Sequence, residues 1–283
     1  MRLTNEQLKF YADNGFVLLA DLFSAADVST IKAEIPLLLA EDSPRRVIEK
    51  SGSVRSVYGS HMTNEVLRRL SRHPKLVDPA MQLIENSVYV YQFKINAKAA
   101  FGGDVWEWHQ DYIFWLKEDS LPAARLTNAV IFLDEVNEFN GPMFLIPGSH
   151  KEGVIDVVAH QEAKPSTSGN GQNGADPYNR SWLSNLTADL KYSLSRQIVG
   201  QLVSQYGILA PKGNQGSVLF FDSNLVHGST NNISPFDRML ILITFNSTSN
   251  LPAFNEKSRP DFLVSRDTKP IEALAGDVAL AKA

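Results

Sequence analysis

The chain has 283 residues, 43% apolar and 20% charged, with 27 basic against 31 acidic side chains and a formal charge of −4. This is the composition of a globular protein, long enough for one large domain spanning 1–283. No basic run marks a nucleic-acid partner. Cysteine is absent, which excludes disulfides, thiolate nucleophiles and Cys-ligated zinc or iron–sulfur centres, so any metal must rest on His, Asp or Glu. No apolar stretch reaches ~18 residues and the N-terminus lacks a signal-peptide core, so a cytoplasmic protein without a membrane partner is the expectation.

Thr4 and Gln7 form a capping-box pattern for a first helix that stops at Asn14-Gly15. GFVLLADLF reads as a strand. Ser24 and Asp27 cap a second helix with Val28, Ile31 and Ile35 at helical spacing. VRSVYGSH reads as a short strand, and the stretch 63–87 as two helices broken near His73-Pro74. From Val88 the pattern turns to strands. In SVYVYQFKIN, period two puts Tyr89, Tyr91, Phe93 and Ile95 on one face and Val88, Val90, Gln92, Lys94 and Asn96 on the other. VWEWHQDYIFW, LTNAVIFLDEV, GPMFLIPGSH, GSVLFFDSNLVHGS and RMLILITFNS follow as further strands. A helical N-terminal third ahead of a run of β segments fits a mainly β fold, a sandwich or jelly roll with helices packed outside. Residues 161–181 are polar and Gly-, Asn- and Ser-rich, so they read either as a lid or as a surface insertion.

His109-Gln110-Asp111 is the first chemical signal. On a strand, residues i and i+2 share a face, so an imidazole and a carboxylate can converge on one ion. Alone the pair also suits a surface hydrogen bond. His227 adds a second imidazole on a separate strand; two His and one carboxylate occupy one face of an octahedral iron(II) and leave three positions open. Arg238, eleven positions later, opens an apolar strand, where a guanidinium needs a carboxylate partner. Taken singly, His227 suits a turn and Arg238 a strand end.

Together the spacing resembles the phytanoyl-CoA dioxygenase family of iron(II)/2-oxoglutarate-dependent oxygenases. WHQDYIFW, NGPMFLIPGSH and HGSTNNISPFDR look like family blocks, and the likeness runs from about Thr4 to Asp267. YQFKIN, AFGGDVWEWHQD, EFNGP, NISPF and SRDTKP are similar to leucine hydroxylases and, more distantly, to ectoine hydroxylases. The resemblance implies a double-stranded β-helix, also called a cupin-like jelly roll. It implies Fe(II) on His109, Asp111 and His227, and 2-oxoglutarate held by Arg238 and Ser229. The expected reaction consumes O2, hydroxylates a small free amino acid, an aliphatic one such as leucine, and releases succinate and CO2. It further implies that Gln92, Asn96 and Asn128 surround the co-substrate or substrate, and that Trp115 touches the substrate. Related halogenases carry Ala or Gly where this chain has Asp111, which argues here for hydroxylation. Arg55 and Arg266 are candidate anchors for an amino-acid carboxylate, with Tyr58 and His61 completing that shell. His73, His150 and His160 read as non-ligands. An acyl-CoA or carrier-bound substrate, and a non-catalytic jelly-roll binding protein, stay open as alternatives.

Overall fold

The computed structural model describes residues 1–49, 51–155, 157, 190–256, 258–275 and 280. The segment 161–181, read as a lid or a surface insertion, and His160 lie outside the described residues. The N-terminal caps form as the sequence specifies. Helix α1 (Asn5–Asn14) carries the reciprocal Thr4–Gln7 capping box and ends on left-handed Gly15. Strand β1 (Phe16–Leu19) follows, then α2 (Ala25–Ala40), capped by Ser24 and Asp27 and burying Val28, Ile31 and Ile35. Strands β2 (Arg46–Ile48) and β3 (Val54–Tyr58) precede α3 (Glu65–Ser71) and α4 (Pro74–Ile84), which break at His73-Pro74.

The remaining elements are β4 (Val88–Lys98), β5 (Trp106–His109), α5 (Asp111–Asp119), β6 (Leu126–Phe132), β7 (Met143–Leu145), α6 (Arg196–Tyr206), β8 (Val218–Asp222), β9 (His227–Ser229) and β10 (Arg238–Ser247). Two antiparallel sheets result. Seven strands run in the order β1-β8-β6-β10-β4-β3-β2, and three in the order β5-β9-β7. This is the jelly-roll architecture expected from the sequence.

The large sheet is apolar on both faces, and its alternation sorts two cores. Ala129, Ile131, Val218, Phe220, Ile241 and Ile243 face the N-terminal helices. Val130, Phe132, Leu219, Phe221, Leu240 and Leu242 face inward with Leu145 of the small sheet. Burying these runs on both sides is the dominant stabilising term, about 1.5–3 kcal/mol for each fully buried Leu, Ile or Phe.

Two local expectations are corrected. The register of β10 against β4 slips between Thr244 and Phe245, so that Thr244 pairs with Gln92 and Phe245 with Val90. The extra residue, Tyr91, is a β-bulge, and strict period two fails across it. Val88 and Val90 therefore join Phe93 and Ile95 in the helix-side core, whereas Tyr89 and Tyr91 pack with Trp115 and Tyr58 on the side of Gln92 and Lys94. Second, VWEWHQDYIFW is not one strand. Strand β5 stops at His109, and Asp111 is the first residue of α5. Gln110, the residue between, is buried; its Nε2 donates to the carbonyls of Gly153 (2.7 Å) and Asn224 (2.6 Å), while its Oε1 accepts from Ile155 N (2.9 Å). Those three bonds fix the strand-to-helix corner.

Candidate active site

His109 ends β5 and His227 opens β9, directly opposite each other in the ladder. Gly228 is what lets β9 lie this close, because a Cβ there would meet the Trp106 carbonyl at 2.9 Å. Asp111 reaches the same point from the first turn of α5. His109 Nε2 lies 3.6 Å from Asp111 Oδ1, and His227 Nε2 lies 3.9 Å from Asp111 Oδ2. The three ligand atoms all fall within 4.8 Å of one another.

The ring nitrogens are sorted by their partners. His109 Nδ1 donates to the Glu107 carbonyl at 2.6 Å, and His227 Nδ1 to the Leu225 carbonyl at 2.9 Å. Each Nε2 is left as a lone-pair donor pointing at the other two groups. Burial, and then the neighbouring His109, push the His227 pKa down to about 4, so this imidazole is neutral near pH 7. Burial opposes ionisation of Asp111, but the neighbouring His227, His109 and Lys94 together hold its carboxyl below the usual range. Two imidazoles and one carboxylate fit an iron(II) ion with open positions.

Asn128, on β6, orients the carboxylate. Thr244 on the paired strand β10 donates to Asn128 Oδ1 (2.7 Å), which turns Asn128 Nδ2 toward Asp111 Oδ2 at 3.0 Å. Asn128 thus touches the candidate ligand, and it lines neither of the pockets described next.

Two pockets meet at His109, Lys94 and Trp106. The inner one is lined by Asn96, Met143, His227, Ser229, Arg238 and Leu240, among others. Arg238 is buried there, with Nη2 donating to Gly141 O (2.8 Å) and Nε to Asn140 O (3.4 Å). Gly141 holds a left-handed φ of +71° to present that carbonyl, and a Cβ on it would strike Thr230 O at 2.8 Å. Burial lowers the Arg238 pKa to about 10, which leaves it fully charged near neutrality. The Ser229 hydroxyl is buried without a partner among the described residues. Asn96 accepts from Ser56 Oγ at 2.5 Å through Oδ1, which leaves its Nδ2 for the pocket. A guanidinium, a hydroxyl and an amide, beside Lys94 and the two imidazoles, suit a carboxylate.

The outer pocket is lined by Tyr58, Gln92, Asp111, Phe114, Trp115, Leu190 and Arg259 beside the shared wall. Gln92 Nε2 donates to Leu263 O (2.9 Å), which leaves Oε1 as its unspent acceptor. Lys94 and Arg259 were missed as candidates from sequence; Lys94 at least shares the face of Gln92 and Asn96, whereas nothing near Arg259 marks it.

Three candidates lie elsewhere. Arg55 is stacked behind Trp106, 3.7 Å from the ring centroid, and paired with Glu49 at 3.3 Å, so its charge is already spent and it lines neither pocket. His61 stacks on Phe93, and Arg266 stacks on Phe254 while donating to the carbonyls of Val264 and Arg259. Both border a separate cavity beyond β4, with Arg72, Asp267 and Lys269. His73 caps α4, and His150 contacts Ala12 O at 3.1 Å.

Residues 11–240 match the model of the phytanoyl-CoA dioxygenase family. The chain belongs to that family. It is 37% identical over 268 residues to an L-proline trans-4-hydroxylase of Streptomyces griseoviridis, with 94% of each chain covered. It is 33% identical to an ectoine dioxygenase of Bordetella bronchiseptica, covering 96% of this chain and 87% of the relative. Among solved structures it resembles EctD from S. alaskensis with 2-oxoglutarate and 5-hydroxyectoine, at a TM-score of 0.78 and 28% identity over 97% of this chain and 88% of that one. A further structure of EctD contains bound iron. The epimerase SnoN of nogalamycin biosynthesis, at 17% identity and a TM-score of 0.67, shares the fold. The chain is therefore a 2-oxoglutarate-dependent dioxygenase that uses iron(II) and O2.

Proposed function

We propose that this family member hydroxylates an unactivated C–H of a small free amino acid, an aliphatic one such as L-leucine. The amino acid, 2-oxoglutarate and O2 are consumed, and the hydroxylated amino acid, succinate and CO2 are formed. One oxygen atom enters the new hydroxyl and the other the new succinate carboxylate. The observation that carries this reading is the candidate triad at the join of two pockets, one suited to a carboxylate and one walled by Phe114, Trp115 and Leu190.

In this reading His109 Nε2, His227 Nε2 and the Asp111 carboxylate hold the iron, and Asn128 fixes the carboxylate's angle. Iron bound there supplies O2 activation. Arg238 and the Ser229 hydroxyl receive the far carboxylate of 2-oxoglutarate, with Asn96 beside it. Gln92 Oε1 faces the outer pocket as an acceptor for the substrate ammonium. Phe114, Trp115 and Leu190 enclose the aliphatic side chain and exclude water while the C–H is oxidised.

The 37% identity to an L-proline trans-4-hydroxylase favours L-proline as the second reading. A screen separates these. L-leucine, L-proline, other free amino acids and an acyl-CoA are each offered with Fe(II), 2-oxoglutarate and O2. Succinate release and a product heavier by one oxygen atom are followed. Turnover of a free aliphatic amino acid is expected; stimulation by the acyl-CoA alone would overturn the proposal.

A further inference from the structure

The cavity beyond β4 shares none of its lining with the two pockets at the triad. Its volume is about 610 Å³, within the roughly 300–1,000 Å³ of sites that hold small organic molecules. Two elements give it walls of unlike charge. Arg68 of α3 and the C-cap Arg72 lie four positions apart and share a face, and α3 brings no carboxylate to the lining. The segment 261–272 contributes three carboxylates, Asp261, Asp267 and Glu272, against two cations, Arg266 and Lys269. Tyr89, Val90 and Ile271 add apolar surface.

We propose that this cavity is a second ligand site, and that its ligand is a zwitterion of di- or tripeptide size whose carboxylate meets Arg72 and His61 and whose ammonium meets Asp261 and Asp267. Three observations support it. Arg72 donates through Nε to the Glu272 carbonyl at 3.2 Å, and its two terminal nitrogens have no partner among the described residues. They form an edge suited to a carboxylate. Second, the Nδ1 of His61 is buried with no hydrogen-bond partner among the described residues. Burial, and then Arg45 and Arg68, push the His61 pKa down to about 4, so near pH 7 the ring is neutral and offers a hydrogen bond rather than a charge. A buried polar atom left unpaired is costly unless a ligand completes it. Third, the acidic side is open. Neither Asp261 nor Asp267 has an ion-pair partner among the described residues, and the Asp267 carboxylate accepts only from Lys269 N at 3.3 Å.

The acidic segment also reaches the outer pocket. Leu263 O accepts from Gln92 Nε2 at 2.9 Å, Ser265 N donates to Tyr91 O at 3.0 Å, and Arg266 Nη2 donates to the Arg259 carbonyl at 2.6 Å. Gln92 and Arg259 line the outer pocket, whereas Ser265 and Arg266 line the cavity. A ligand held against this segment acts on the outer pocket through one short turn, and by linkage the amino acid acts on that ligand by the same factor. The coupling rests on the amino-acid reading above; the site itself does not.

The test is equilibrium dialysis of di- and tripeptides of Ala, Leu and Pro, each free, N-acetylated or C-amidated, against the protein with Fe(II) and 2-oxoglutarate under anaerobic conditions, where no turnover occurs. At least one free peptide is expected to bind with one equivalent per chain, and both of its blocked forms at least ~10-fold more weakly, the scale of a charged hydrogen bond. Arg72→Gln should lose the distinction between free and amidated peptide, and Asp261→Asn/Asp267→Asn the distinction between free and acetylated peptide. His61→Phe, which keeps a ring stacked on Phe93, should weaken binding by about 5–10-fold. In air, saturating peptide should shift the KM of the amino acid several-fold and leave that of 2-oxoglutarate unchanged. No binding by any peptide, or an Arg72→Gln protein that still prefers the free carboxylate, would overturn the site. One-for-one displacement of the peptide by the amino acid would place it in the outer pocket and overturn the site as well. Binding with an unmoved KM would overturn the coupling alone. A wild type that oxidises no amino acid would remove the coupling, while the dialysis still decides the site.

Discussion

The two pockets share a wall but are built from different material. The inner one is lined by strand residues: Asn96 of β4, Met143 of β7, His227 and Ser229 of β9, Arg238 and Leu240 of β10. Their positions are set by ladder register, and of this lining only Leu242 lies beyond residues 11–240. Beyond the shared wall, the outer one is lined by Tyr58 at the end of β3, Gln92 of β4, the aromatic face of α5, Leu190 and Arg259, so helix and loop residues join the strands there. A family whose members share a co-substrate gains from fixing that half on a rigid sheet. In the proposed reading, the half assigned to the substrate draws on segments that tolerate change.

The comparison can be broken by substitution, and the largest effect is expected at Arg238. Arg238→Ala should raise the 2-oxoglutarate requirement by roughly 10²-fold and change the amino-acid requirement only a few-fold, as read from paired KM values. Equal effects on both would mean that the pockets are not functionally separate. Asn128→Ala comes next. It removes the bond that orients Asp111 and should weaken Fe(II) binding by about 10–100-fold in a metal titration; an unchanged affinity would remove Asn128 from the metal centre. Ser229→Ala is milder and sharper. Its hydroxyl has no partner among the described residues, so stability should hold or rise while 2-oxoglutarate binds about 5–10-fold more weakly, one hydrogen bond's worth. Loss of stability without loss of affinity would contradict the carboxylate assignment.

The smallest effect concerns the end of β8, outside both pocket linings. Burial raises the Asp222 pKa from 3.8 to about 6, against the stabilising hydrogen bond from Asn224 N. The folded chain therefore holds this proton more tightly than the unfolded chain, and the carboxylate costs stability as pH rises through 6. Asp222→Asn cannot ionise. It should be more stable than the wild type by about 1–2 kcal/mol above pH 7, with the gap narrowing toward pH 5 in chemical denaturation. A gap independent of pH would refute the assignment.

What sequence could and could not reveal follows the same division. His109, His227 and Arg238 were legible because register imposes fixed spacing on sheet residues, and the Thr4 and Ser24 capping boxes because they are local. The bulge at Tyr91 was not, since one inserted residue leaves no mark in the Val-Tyr run that opens β4 yet flips every side chain before it. The start of α5 at Asp111 was hidden by β-favouring aromatics, and is set by Gln110 bonding to residues 43 and 114 positions away. Arginine was the hardest residue to read. Arg55, Arg259 and Arg266 look alike in sequence, and Arg55 and Arg259 each hold a buried carboxylate; of the three, only Arg259 lines the outer pocket.

The central claim is that one face of His109, Asp111 and His227 holds an iron ion to which 2-oxoglutarate binds from the Arg238 side. The most direct measurement is anaerobic addition of Fe(II) and 2-oxoglutarate to the protein, followed by visible absorption. A charge-transfer band that needs both components, is lost in His109→Ala, and demands more 2-oxoglutarate in Arg238→Ala is the predicted result. No band in the wild type, or an undiminished band in His109→Ala, would contradict the account.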